Sequence, residues 1–306
     1  MERFVKYKEL QDVWTYDYIA LGNLVGSVRD PFVIKTEAGT ELVPASIVYL
    51  KSPNGNRKST IVNGAFNKVL YEHSRASDYL KDSVVNSHIV VDEDAQAAIL
   101  ALPISGDIQI FPSSESLDVL RATNTPQAEV VKRFTDKFSD IKFGIFGSQA
   151  LFMSGPTSDI DLFVLGCKQF TSFHQTLQEE EIQKELELEP LSADEKEFNA
   201  IRFANKFQVS VKQARRISEL RCRFKVRIGD EYRSLSFSAA LDPSEIRNLG
   251  TLGTKKIGKV KEHGTIVNAD YSSGFPRIYQ VEIEGKIIDV VSMHWSFRAL
   301  AYQSRK

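Results

Sequence analysis

The chain is short of the residues that build metal and disulfide frameworks. Its 306 residues include two Cys, three Met, two Trp and five His. Neither Cys167 nor Cys222 lies in a CxxC or other metal-ligand spacing, which argues against a disulfide framework and fits a reducing cytosol. The histidines, among them His174, His263 and His294, form no ligand spacing, so core or surface roles are their default. Long apolar runs are also missing. None approaches the ~18 residues that a membrane span needs, and Met1-Glu2-Arg3-Phe4-Val5-Lys6 has no apolar centre of a signal peptide. The expectation is a cytoplasmic protein that does not enter a membrane. An excess of one charge is absent too: the formal net charge is −1, so the overall balance names no partner.

What is present is ordinary globular material, 42% hydrophobic and 26% charged, enough for a sizeable core. The length suits roughly two or three domains. Charge is unevenly placed. Glu179, Glu180, Glu181, Glu185, Glu187 and Glu189 crowd one stretch, whereas from Arg202 to Lys306 Lys and Arg outnumber Asp and Glu by about two to one. A segmental basic excess suits a polyanion such as RNA, DNA or a triphosphate; a solvated face is the competing reading. The cluster Lys212, Arg215, Arg216, Arg221, Arg223, Lys225 and Arg227 is the densest part and carries the same two readings.

Punctuation divides the chain into residues 1–122, 123–248 and 249–306. The first reads as an α/β unit, with a hairpin signal at Glu37-Ala38-Gly39-Thr40, a strand over Ala45–Leu50 ended by Ser52-Pro53-Asn54-Gly55, and a short strand at His88–Val91. The second opens at Thr125-Pro126, an N-cap followed by proline at the first helical position. Ala128, Val131, Phe134 and Phe138 then share a helical face. Strands are expected over Ile141–Phe146 and Asp159–Leu165, with a short helix over Gln149–Met153 and a loop over Ser154–Ser158. Ser192 and Glu195 read as a capping box, and Arg223–Ser238 as a hairpin turning at Gly229-Asp230. The third unit holds short strands with turns at Ser272-Ser273-Gly274 and Glu284-Gly285, a pattern that suits a small β-barrel or sandwich.

The chemistry concentrates in the second unit. A buried strand ends at Phe146. Gly147 lets the backbone approach a phosphate with no Cβ in the way, and Ser148 can donate a hydroxyl to a phosphate oxygen. Asp159 and Asp161 follow on the next strand, where residues two apart face the same way, so both carboxylates can reach one metal cluster. Magnesium takes hard oxygen ligands of this kind, usually one or two carboxylates completed by phosphate oxygens and water. The competing reading is a simple turn followed by two solvated aspartates at a strand end.

The run Phe146-Gly147-Ser148 followed by Ser158-Asp159-Ile160-Asp161-Leu162 resembles the DNA polymerase beta nucleotidyltransferase superfamily. The similarity extends to a prokaryotic, largely archaeal subgroup of nucleotidyltransferase-domain proteins through Arg29–Lys51, His88–Leu120 and Tyr271–Tyr279. The resemblance implies an α+β fold: a nucleotidyltransferase-type mixed β-sheet with helices, flanked by the N-terminal α/β domain and the small C-terminal β-barrel-like domain. It implies a Mg²⁺ cofactor, a nucleoside triphosphate substrate, phosphate contacts at Gly147 and Ser148, and metal ligation and catalysis by Asp159 and Asp161. Members of the superfamily carry a third acid on a later strand. Here Ser234 stands in its place. Asp289, in Ile287-Ile288-Asp289-Val290-Val291, has the right local pattern but falls in the C-terminal unit, where a polar edge position is the competing reading. Two functions follow: an enzyme moving NMP from an NTP to a hydroxyl acceptor, or a catalytically impaired nucleotide- or nucleic-acid-binding module of the same fold.

Two other features resemble sites without the chemistry to match. Gly253–Val260 nearly spells a P-loop, but Val260 replaces the hydroxyl that would bind magnesium; a flexible basic linker is the better reading. Trp295 and Phe297 alternate on one expected strand face and read as core.

Overall fold

The computed structural model describes residues 4–9, 15–28, 32–36, 39–69, 89–92, 97–104, 108–153, 155, 158–207, 209–219, 221–242, 244–245, 258, 261–273 and 277–292. The chain divides into two units: Met1–Ser113 with Leu151–Met153 and Pro243–Lys261, and Ser114–Ala150 with Ser154–Asp242 and Glu262–Lys306.

The alternating apolar residues after Phe32 organise the first unit. β4 (Phe32–Thr36) turns at Gly39-Thr40 into β5 (Glu41–Lys51), pairing Ile34 with Leu42. Around β5 gather β1 (Phe4–Glu9), β2 (Tyr18–Leu21), β3 (Leu24–Val28), β6 (Arg57–Ser59), β7 (Gly64–Lys68), β8 (Ile89–Asp92), β9 (Ala97–Pro103) and β10 (Ile108–Phe111). The main path runs β1-β4-β5-β3-β2-β10, with β7 and β9 also pairing with β5. Ile19, Leu24, Val28, Val43, Ala45, Ile47 and Leu102 form its buried core.

The second unit carries six helices among the described residues. They are α1 (Ser113–Arg121), α2 (Pro126–Lys137), α3 (Cys167–Thr176), α4 (Glu180–Glu185), α5 (Ala193–Phe207) and α6 (Val211–Glu219). The N-terminus of α2 is set as the sequence dictates: Thr125 accepts the Ala128 N–H at 3.2 Å, and Pro126 occupies the first turn. Its strands are β11 (Phe143–Phe146), β12 (Ile160–Leu165), β13 (Leu188–Pro190), β14 (Arg223–Ile228) and β15 (Glu231–Ala240), in the order β11-β12-β15-β14-β13. β12 runs parallel to β15 and antiparallel to β11, so the sheet is mixed. The edge strand β13, at the end of the glutamate-rich stretch, has no signal of its own in the sequence; Leu188 is drawn in by pairing with Val226.

One face of this sheet is apolar and covered by helices. Ile145, Ile160, Leu162, Val164, Leu235 and Phe237 are buried. Phe173 of α3 packs edge-on against Phe138, Phe143 and Phe237 at centroid distances of 4.9, 5.5 and 5.0 Å, and Phe134 of α2 lies 5.2 Å from Phe237. These are the separations at which tilted aromatic pairs gain beyond simple burial. With this face filled, the alternate residues of β12, β14 and β15 must point to the other side.

β16 (Thr265–Tyr271), β17 (Arg277–Ile283) and β18 (Lys286–Ser292) form a three-stranded antiparallel sheet, turning at Glu284-Gly285 between the last two. The P-loop-like segment, apart from Gly258, lies outside the described residues, as do Trp295 and Phe297.

Candidate functional site

Gly147 and Asp161 are the centre of the polar face. Phe146, at the end of β11, lies opposite Asp161 on β12. The next residue, Gly147, turns with φ +76°, and a Cβ on it would sit 2.8 Å from Asp161 Oδ2. Glycine is needed twice over: for a backbone conformation that L side chains rarely adopt, and for the space the carboxylate occupies. The Gly147 turn and the Asp161 carboxylate are thus one cluster. Ser148 follows Gly147 in the same turn and is half-buried.

The expected helix over Gln149–Met153 is replaced by consecutive turns. Phe152 has φ +51°, a left-handed conformation that ends any helical run, and the Leu151 carbonyl accepts a hydrogen bond from the Ser59 hydroxyl at 2.7 Å instead of an intrahelical one. The helix N-terminus anticipated behind Ser148 is therefore absent; what remains at that place is the glycine turn and its hydroxyl.

The parallel pairing of β12 with β15 brings in a residue that sequence reasoning missed. Ser236 lies directly opposite Asp161, and its hydroxyl donates to Asp161 Oδ1. Ser234, two residues earlier on the same face, is also half-buried. From the other side β14 adds Arg223, Lys225 and Arg227, which pair with Ser236, Ser234 and Tyr232. Arg223 Nε donates to Ser234 Oγ at 2.7 Å, and Arg223 Nη2 stands 3.8 Å from Asp159 Oδ2. Asp159 is exposed, whereas Asp161 is half-buried. The face thus reads across three strands as carboxylate, hydroxyl and cation.

The basic cluster read from the sequence is divided by the fold. Lys212, Arg215 and Arg216 belong to α6, and Arg223, Lys225 and Arg227 alternate along β14. Most have acidic neighbours. Arg215 grips Glu197 through Nε at 2.6 Å and Nη2 at 2.7 Å; Lys225 lies 3.7 Å from Glu189 and 3.2 Å from Glu195; Arg227 is 3.8 Å from Asp230. Arg221 stacks 4.9 Å above the Phe203 ring. Lys212 and Arg216 remain exposed. Tyr232 donates its hydroxyl to Glu189, which raises the phenol above its ordinary range.

Asp289 sits on β18, in a different sheet from Asp161, opposite Gln280, whose side-chain amide donates to it at 3.3 Å. Among the described residues no three His, Cys, Asp or Glu side chains come together as a metal-holding group. Cys167 and Cys222 are both buried and outside any disulfide; burial pushes the Cys222 thiol well above its usual range. His174, beside Phe170 on α3, is shifted down by burial. None of the three is placed for chemistry.

Residues 128–221 match the family model of the nucleotidyltransferase domain, consistent with a polymerase beta-like superfamily. The comparisons with curated proteins and with solved structures return no match. The matched segment runs from α2 through α6 and includes Gly147, Ser148, Asp159 and Asp161. It ends two residues before β14, so Ser234 and Ser236 lie beyond it. The match supports nucleotidyl transfer as the general function of this segment. No helix among the described residues is long and apolar enough to cross a membrane.

Proposed function

We propose that the nucleotidyltransferase domain at residues 128–221, completed by β14 and β15, transfers NMP from a nucleoside triphosphate to a hydroxyl acceptor with Mg²⁺ as cofactor. The observation that carries this reading is the contact of the Asp161 carboxylate with the Gly147 turn. A backbone that can accommodate a phosphate beside a carboxylate that can take a metal is what this reading requires.

The donor set fits the cation. Asp161 on β12 and Asp159 just before it offer hard oxygens, which is within the one or two protein carboxylates that magnesium ordinarily takes. When bound, the ion neutralises triphosphate charge and favours displacement at the α-phosphorus. The protein's own contributions are distinct. Gly147 has no side chain to obstruct the approach of a phosphate oxygen, and Ser148 offers a hydroxyl beside it. Ser236 holds Asp161 in one orientation through its hydrogen bond, while Arg223 presents a guanidinium at Asp159. In the transfer, the acceptor oxygen bonds to the α-phosphorus, the bond to the pyrophosphate oxygen breaks, pyrophosphate departs, and the acceptor proton passes to water.

Titration of Mg-ATP and Mg-GTP against the wild type, Asp159→Asn and Asp161→Asn tests the reading. Binding is expected to weaken at least about tenfold in each variant, the scale of losing one charge-assisted ligand. Equal affinity in all three would sink it.

A second reading is favoured by the hydroxyls of Ser234 and Ser236 on the strand beside β12, where the third carboxylate of the superfamily is expected. In that case the domain binds a nucleotide or nucleic acid without turnover. Incubation with α-labelled NTPs and cellular RNA separates the two, since label transfer that depends on Asp161 excludes the non-catalytic form.

A further inference from the structure

The row Asp161–Ser236–Arg223 crosses three strands in register, with all three side chains on the polar face. Arg223 is fixed at two points along it. Its Nε is held by the Ser234 hydroxyl, and its Nη2 faces Asp159 at a distance too long for a direct hydrogen bond. The side chain is 27% exposed, against 62% for Arg227 at the far end of the same strand. The guanidinium is therefore held in place and points at Asp159 without a direct hydrogen bond to it.

The neighbouring cation does not share this role. Lys225 lies between Glu189 and Glu195 and close to the Tyr232 ring, so its charge is already met. Among the described residues that leaves two carboxylates, the hydroxyls of Ser148, Ser234 and Ser236, and one guanidinium whose acidic neighbour is Asp159 itself. Without nucleotide, two divalent ions about 3.5–4 Å apart, the usual spacing of such pairs, would have only these two carboxylates to offset their mutual repulsion. One divalent ion and one guanidinium match what the side chains offer, and together they present three positive charges to a polyphosphate.

Resting on the nucleotidyltransferase reading above, we infer that Asp159 and Asp161 hold a single divalent cation and that Arg223 is a built-in cation in the place of a second. Arg223 and the metal then compete for Asp159. A merely structural arginine gives the opposite signature, because its loss loosens the site.

Mn²⁺ binding to the full chain, followed by electron paramagnetic resonance without nucleotide, is the test. The wild type is expected to bind one Mn²⁺ in an Asp161-dependent manner. Arg223→Gln is expected to bind it about tenfold more tightly, as removal of a nearby positive charge dictates, while Arg223→Lys stays near wild type. Ser234→Ala, which removes only the anchor of Nε, should shift the affinity the same way by less, and covers the case in which Arg223→Gln does not fold. Ser236→Asp combined with Arg223→Gln is expected to raise the stoichiometry to two. Two Mn²⁺ in the wild type, or unchanged or weaker binding in both Arg223→Gln and Ser234→Ala, would overturn the inference. Mn²⁺ binding that is the same in wild type and Asp161→Asn would overturn the metal site itself, and the two failures are thus distinguishable.

Discussion

Gly147 illustrates how much one residue can settle. Its φ of +76° and the carboxylate 2.8 Å from its would-be Cβ are separate reasons against any side chain. Gly229, at φ +63° in the β14–β15 turn, has nothing within 4 Å of a would-be Cβ, and so isolates the backbone penalty. Alanine at either place is expected to cost about 1–2 kcal/mol from the left-handed conformation. Only Gly147→Ala is expected to displace Asp161 and lower Mg-nucleotide affinity, by about tenfold or more. Chemical denaturation and nucleotide titration of the two variants check both halves. The glycine itself was legible in the sequence. The sequence also grouped it with Asp159 and Asp161; that Asp161 is the carboxylate against it depends on the antiparallel pairing of Phe146 with Asp161.

Among the elements, α5 shows the closest agreement between sequence and geometry. Ser192 N donates to Glu195 Oε2 at 2.8 Å, and Glu195 N donates to Ser192 Oγ at 3.2 Å, the reciprocal pair that a capping box requires. The Ser192 backbone bond, with help from Lys225 and the Ser192 hydroxyl, lowers the Glu195 pKa below its ordinary value. A depressed carboxylate stabilises the fold above its unfolded pKa and loses that contribution as pH falls through the folded value. Wild-type stability is therefore expected to drop on acidification below the ordinary glutamate range, with Glu195→Gln showing a shallower acid loss; thermal unfolding across pH 3 to 7, roughly the window on either side of that range, measures it. Ser192→Ala is expected to cost about 1 kcal/mol at neutral pH. The turn at Gln149–Met153 behaves differently. Local propensity allows a helix there, but the left-handed Phe152 and the hydrogen bond from Ser59 to Leu151 override it.

For the molecule as a whole, Gly147, Ser148, Asp159, Asp161, Arg223, Ser234 and Ser236 all belong to the second unit. A fragment of residues 114–306 keeps these residues but loses Ser59, which holds Leu151 just after the glycine turn, so its Mg-nucleotide affinity is expected to fall by about threefold or more. A titration showing unchanged affinity would mean that the site does not require residues before Ser114. The net charge of −1 belongs to the same scale. Several of the cations in the second half have acidic neighbours, as at Arg215–Glu197 and Lys225–Glu195. Salt is expected to weaken Mg-nucleotide binding to the full chain only modestly, since short pairs at a partly buried site are screened less than open surface charge; titrations at two ionic strengths check this.

The sequence by itself determined the motif and the elements that carry it. Gly147-Ser148, the Asp159-Ile160-Asp161 alternation, the Thr125-Pro126 start and the Ser192–Glu195 cap are local patterns, written within a few residues by strand and helix periodicity. Only the tertiary structure decided what faces them. Ser236 lies 75 residues from Asp161 in the chain and meets it through the parallel register of β12 with β15. Arg223 reaches Asp159 only because β14 pairs with β15 on the far side. Pairing between distant strands is set by which faces become buried. The helix-covered apolar face, closed over Phe173 and Phe237, left carboxylates, hydroxyls and a guanidinium together on the other.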